Sequence, residues 1–342
     1  MTNREFFKAN NYGMMCHWGL YSLLGGEWNG KIAANYAEWI QAHFAIPNAE
    51  YHKLAAAFNP VFFDPDGWMK MAKDCGMSYF VFTSKHHDGF ALFHSKADKF
   101  NVVDASPYKK DIVAMLGEAC YKYGIKLGLY YSQELDWAHP HGGGYTNPAP
   151  CDGVTWGNSW DFPDEANKNF DICFQEKIKP QVTEILSNYG DIFNIWFDTP
   201  HTISPAQSLE LNQLVKKLQP DCLINSRIGN GDYDYVSLND NEIPPEGPPE
   251  GLSKNSGDMN SLGGYKYSEY GLYETPATLN HSWGIKYSDN NWKTPEQVLE
   301  LKRHLNGKGV NYLLNIGPDS MGRIPVRSQE ALLGAAKLEG LL

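Results

Sequence analysis

Cysteine is sparse in this 342-residue chain, and nothing in its spacing pairs it. The six thiols (Cys16, Cys75, Cys120, Cys151, Cys173, Cys222) form no CxxC motif and are too dilute for a disulfide scaffold. Cys75 and Cys120 fall in helix-like stretches, Cys16 and Cys222 in apolar, strand-like ones; this predicts small buried hydrophobes in a reducing compartment. Positive charge is short as well: 29 Lys and Arg stand against 40 Asp and Glu, a net charge of -11. With no Lys/Arg cluster among aromatics, that balance argues against nucleic acid or an anionic membrane as partner and points to a neutral substrate. No run of about 18 apolar residues occurs, and residues 1 to 11 hold no uninterrupted apolar segment. A membrane helix and an export signal are therefore not expected, and a cytoplasmic location is. Also missing are a GxSxG elbow, a P-loop lysine after Gly142-Gly143-Gly144, HxH or HExxH metal spacing, internal repeats and low-complexity tracts.

What is abundant is apolar and aromatic surface. Hydrophobic residues make up 42% and aromatics 13%, with 10 Trp and 20 Tyr, more rings than packing alone needs. Sugar-handling clefts use such rings as platforms for apolar sugar faces. Strand-like and helix-like runs alternate, the pattern of a parallel α/β fold. Strands are predicted at 13–19, 78–85, 126–132, 191–198, 222–227, 277–283 and 311–316. Helices are predicted at 48–57, from Asp64-Pro65 to Cys75, and at 110–123, 167–188, 204–218, 294–306 and 326–340. Residues 138–160 and the Gly/Pro-rich 228–270 read as long loops on the functional face, because elements on both sides are needed to close one barrel. The expected architecture is one (β/α)8-like barrel domain over 1–342.

Four strand-like runs end in polar residues, where such barrels keep their chemistry. Phe193-Asn194-Ile195-Trp196-Phe197 stops at Asp198. Met14-Met15-Cys16 runs into His17, Tyr79 to Thr83 into Lys85-His86-His87-Asp88, and Leu127 to Tyr131 into Ser132-Gln133-Glu134. Asp198, behind Trp196 and Phe197, is placed to act as a nucleophile towards an electrophilic carbon. Glycoside hydrolysis needs a second carboxyl from another loop. His86 and His87 are adjacent, so they point to opposite faces unless the strand has already ended. Read as hydrogen-bonding groups they suit sugar hydroxyls; read as ligands with His17 and Asp198 they would suit a metal-dependent barrel hydrolase.

Several runs, in this order and spacing, carry a resemblance to a known family: Met15-Cys16-His17-Trp18-Gly19, Glu38-Trp39, Phe58-Asn59-Pro60, Lys85-His86-His87-Asp88-Gly89-Phe90, Gly128-Leu129-Tyr130-Tyr131-Ser132, Trp196-Phe197-Asp198, Ser282-Trp283-Gly284 and Leu314-Asn315-Ile316-Gly317-Pro318. The chain resembles the α-L-fucosidases of glycoside hydrolase family 29 over nearly its whole length. The resemblance implies a retaining hydrolase that removes terminal α-L-fucose from oligosaccharides or glycoconjugates, with Asp198 forming a covalent glycosyl intermediate and with no cofactor or metal. It implies sugar contacts from His17, Glu38, Trp39, His86, His87, Tyr131, Trp196 and Arg227, with Tyr130 able to replace Tyr131. For the acid/base, Asp240 and Glu242 both fit the loop after Arg227, and Glu274 is a weaker third. The β-sandwich that many relatives carry after the barrel is not expected here, which makes a homo-oligomer plausible as the means of completing the leaving-group subsite. A non-catalytic fucose-binding barrel that has lost its acid is the remaining alternative.

Overall fold

The computed structural model describes residues 1–147, 154–249, 252 and 265–342. Eight parallel strands carry the fold: β1 Tyr12–Cys16, β2 Tyr79–Lys85, β3 Lys126–Tyr131, β4 Asn194–Phe197, β5 Leu223–Ile224, β6 Val236–Ser237, β7 Tyr273–Thr278 and β8 Val310–Ile316. They lie in one sheet in the order β5-β4-β3-β2-β1-β8-β7-β6. The two ends of this sheet meet: a parallel bridge joins Asn225 to Tyr235, and Ile224 N donates to Asp234 Oδ2 (2.9 Å). The expected (β/α)8-like barrel is therefore present.

Side chains segregate by strand parity. Met15, Tyr79, Val81, Tyr130, Trp196, Leu223, Tyr235 and Leu313 pack inside the barrel, whereas Met14, Cys16, Phe80, Leu129, Tyr131, Ile195 and Phe197 face the surrounding helices. Because both faces are covered, the strands read as nearly continuous apolar runs. The outer helices start on strong caps. Asp64 accepts from Gly67 N before α2 (Pro65–Asp74); Ser204 with Gln207 and Thr294 with Gln297 form capping boxes before α3 (Pro205–Leu218) and α4 (Pro295–Gly307). All three helices carry Pro at their first position, where its missing N–H costs nothing.

Several expected boundaries shift. The predicted helix at 48–57 is a short α-helix, Asn48–Tyr51, passing into a 3-10 turn, His52–Ala57. The long one at 167–188 starts at Phe170 and contains a π turn, Phe174–Ile178. The strand expected at 277–283 lies earlier, as β7, with Pro276 inside it; the strand is paired to β6 only at Tyr273 and Glu274, so Pro276 removes no ladder bond on that side. An unforeseen helix, α1 (Asn3–Ala9), plugs the barrel floor with Phe7, whose ring sits 4.8 Å from that of Tyr235. Among the described residues no α-helix separates β5 from β6 or β6 from β7, and no helix is long and apolar enough to cross a membrane. Cys16, Cys75, Cys120, Cys173 and Cys222 are free and buried; Cys151 and parts of the two long loops lie outside the described residues.

Candidate active site

At the C-terminal mouth of the barrel is a cavity of about 470 Å³ lined by His17, Glu38, Trp39, His86, His87, Trp196, Asp198, Arg227 and Asp240. Met15, Tyr36, Trp156, Thr199, Asn239 and Trp283 complete its wall. Asp198 follows β4 directly. Its Oδ2 accepts from the Tyr130 hydroxyl (2.9 Å), its Oδ1 from Arg227 Nη1 (3.0 Å), and its backbone N–H donates to Gln133 Oε1 (2.7 Å). Two side chains thus hold the carboxylate and a third anchors its backbone, and 13% of the Asp198 side chain remains exposed to the cavity.

Arg227 sits in a 3-10 turn after β5 and spans two acids. Its Nη2 donates to Asp240 Oδ1 (2.6 Å) and to Leu238 O (3.1 Å), and its guanidinium lies 4.6 Å from the Trp196 ring. Burial alone would lower its pKa; the two carboxylates outweigh that and raise it, so the cation is permanent. The histidines are neutral. His17 donates from Nδ1 to Asn315 Oδ1 (2.8 Å), an oxygen known as the acceptor because Asn315 Nδ2 donates to Trp283 O. Burial lowers His17 to about 4. His87 Nδ1 meets Ser132 Oγ (2.7 Å), whose proton goes to Leu135 O, so the Nε2 lone pair faces Asp198 Oδ2 at 4.0 Å. His86 and His87 both reach the cavity because β2 ends at Lys85 after a register break at Thr83 and Lys85. Glu38 caps the rim: Oε2 accepts from Gly284 N (2.8 Å) and Ser282 Oγ (3.2 Å), Oε1 has no partner among the described residues, and burial raises the carboxyl to about 7.

Three candidates fall elsewhere. Tyr131 is corrected to Tyr130: strand parity turns Tyr131 outward, where its hydroxyl donates to Gln181 Oε1 (2.8 Å), while Tyr130 lies between His86 and Trp196 in a parallel stack, ring centroids 5.7 and 5.6 Å away. Glu242 does not line the cavity; its Oε2 accepts from Asn239 N (2.8 Å). Glu274 is buried a layer below, accepting from Tyr79 OH (2.7 Å) and Trp196 Nε1 (3.0 Å), and burial raises it to about 7. Of the three carboxylates proposed for the acid, only Asp240 lines the cavity. Among the described residues no three His, Cys, Asp or Glu side chains converge as metal ligands. The sequence reading assigned no role to Tyr36, Trp156, Asn239, Trp283, Gln133 or Asn315; the last two sit at strand ends and follow the same rule that picked out Asp198.

The profile of the alpha-L-fucosidase family matches residues 1–338. The chain belongs to the alpha-L-fucosidase family of glycoside hydrolases. Unliganded alpha-L-fucosidase AlfC from Lactobacillus casei is 55% identical and superposes with a TM-score of 0.91 over 99% of this chain and 98% of that one. The alpha-L-fucosidase of Vibrio sp. strain EJY3 is 32% identical, TM-score 0.87, over 99% of this fucosidase-family chain and 55% of its own. A putative alpha-L-fucosidase of Caenorhabditis elegans is 26% identical over 349 residues, 96% of this chain and 63% of the relative, so the chain spans less than two thirds of that relative's length.

Proposed function

We propose that the chain hydrolyses terminal α-L-fucose from oligosaccharides by a retaining, double-displacement mechanism. The carrying observation is Arg227, which holds Asp198 and Asp240 on one cavity. Asp198, held by Tyr130 and Arg227 in one orientation, attacks the anomeric carbon and forms a glycosyl ester. Asp240 protonates the leaving oxygen and then deprotonates the incoming water. Neutral His17 and His87 present lone pairs to the ring hydroxyls, and Trp39, Trp196 and Trp283 supply apolar surface for the C5 methyl. AlfC has been captured with 4-nitrophenyl α-L-fucopyranoside, with α-L-fucose and with Fucα(1,6)GlcNAc, which supports the substrate class and makes α1,6-linked fucose the first linkage to try here.

The test is trapping with a 2-deoxy-2-fluoro-fucosyl fluoride followed by peptide mass analysis. A stable adduct on the peptide carrying Asp198 is expected. An unlabelled peptide together with release of inverted fucose, seen by NMR as the first anomer formed, would overturn the retaining mechanism.

A further inference from the structure

Beside the fucose cavity runs a second, larger groove of about 1080 Å³. It lies over the outer face of β7 and against α4, on the side of the barrel where the described residues hold no helix between β6 and β7. The two depressions adjoin. Tyr36 lines both, and Asn241, in the groove wall, directly follows Asp240 in the cavity wall. Direction follows from the chemistry: the leaving oxygen must lie within hydrogen-bond reach of the acid, so the departing glycan passes over Asp240, towards this groove.

Its lining suits a neutral, hydroxylated ligand. Asn280, Asn290 and Asn291 bring amides that both donate and accept, and the half-buried Trp292 brings an indole face. The charges present are already committed to backbone. Lys286 Nζ donates to Asn35 O (2.6 Å), Lys293 Nζ to Thr278 O, and Asp289 accepts from the backbone N–H groups of His281 (2.8 Å), Ser282 (3.2 Å) and Asn291 (3.1 Å). Two floor hydroxyls, Thr275 Oγ1 and Tyr312 OH, are buried with no partner among the described residues. Orphaned buried hydroxyls under an amide-rich wall are the signature of a site that is completed by solvent or ligand.

We propose that this groove is the leaving-group cleft and takes the neutral glycan chain carrying the fucose, two or more sugar units beyond the scissile bond. This rests on the fucosidase reading, and the experiment separates the two. Asn290→Trp fills the groove from an exposed position, and Asn291→Ala with Trp292→Ala strips its wall. Steady-state rates are measured on 4-nitrophenyl α-L-fucopyranoside and on a fucosylated oligosaccharide of at least four sugars. Both variants should lower kcat/KM about tenfold or more on the oligosaccharide, through KM, and change it less than about twofold on the nitrophenyl substrate. Equal losses on both substrates, or none on either, would overturn the cleft. Should the wild type turn over neither substrate, the fucosidase reading fails. The cleft is then judged by titrating the defucosylated glycan into wild type and Asn290→Trp by NMR: shifts at groove residues in the wild type alone support it, and their absence refutes it.

Discussion

Tyr130 and Tyr131 are neighbours of one type with opposite tasks. The Tyr130 hydroxyl donates to Asp198; Tyr131 donates to Gln181 in the helical layer. Tyr130→Phe is expected to cut kcat on 4-nitrophenyl α-L-fucopyranoside by about tenfold or more, with little change in thermal midpoint. Tyr131→Phe should leave kcat intact and cost about 1 kcal/mol of stability, measured by urea unfolding. The reverse pattern would return the site to Tyr131. The acid candidates separate in the same way. Asp240→Asn should cost about a hundredfold or more on an oligosaccharide and far less on the activated nitrophenyl substrate, whereas Glu242→Gln should show no such split. Which carboxylate faces the cavity was not legible in the sequence, because 238–243 is loop and loop direction is set by partners distant in the chain, here Arg227 and Thr278.

At the scale of elements, strand ends carried most of what could be read. His17, His86, His87 and Asp198 each follow a buried apolar run, and each reaches the cavity. Position within a strand was less legible: a run such as Leu129-Tyr130-Tyr131 has no polar residue to mark its two faces. β7 hid for another reason, since Glu274, Thr275 and Pro276 resemble a turn until burial on both sides is known. Below the His86-His87 corner lies an ion cluster that sequence pattern could not assemble. Asp136 Oδ2 accepts from Lys85 (2.8 Å) and Lys177 (2.8 Å), with Lys85 and Asp136 wholly buried, and the adjacent Trp137 N donates to His87 O (2.8 Å). Asp136→Ala would strand the buried Lys85 ammonium and leave Lys177 only Asp98 (2.6 Å), and should cost about 3 to 5 kcal/mol of stability. Lys85→Met should cost less, because Lys177 still pairs with Asp136. Urea unfolding of both variants decides it, and equal losses would mean that Lys177 compensates nothing.

Across the whole molecule, buried acids and buried histidines oppose one another. Burial raises Glu38, Glu134 and Glu274 to about 7, from an ordinary value of 4.5, so between these limits the folded chain holds protons that the unfolded chain has lost. Their contribution favours the fold on the acid side and is lost as pH rises through 7. His17, lowered to about 4, and His86 and His87, which burial also holds well below the ordinary histidine value, work the other way, since the unfolded chain binds their protons below about 6.5. Glu274→Gln removes one falling component, so relative to wild type it should gain up to about 3 kcal/mol between pH 5 and pH 8. An unchanged difference across that range would show that Glu274 is ionised throughout.

The proposed nucleophile is Asp198, at the end of β4. Its role is tested by nitrophenol release from 4-nitrophenyl α-L-fucopyranoside, comparing wild type with Asp198→Ala under excess chelator. Wild-type turnover, with a loss of more than about a thousandfold in the variant and retained binding of fucose, is the expected result. Undiminished turnover in Asp198→Ala, or a wild type that binds fucose without cleaving the substrate, would contradict it.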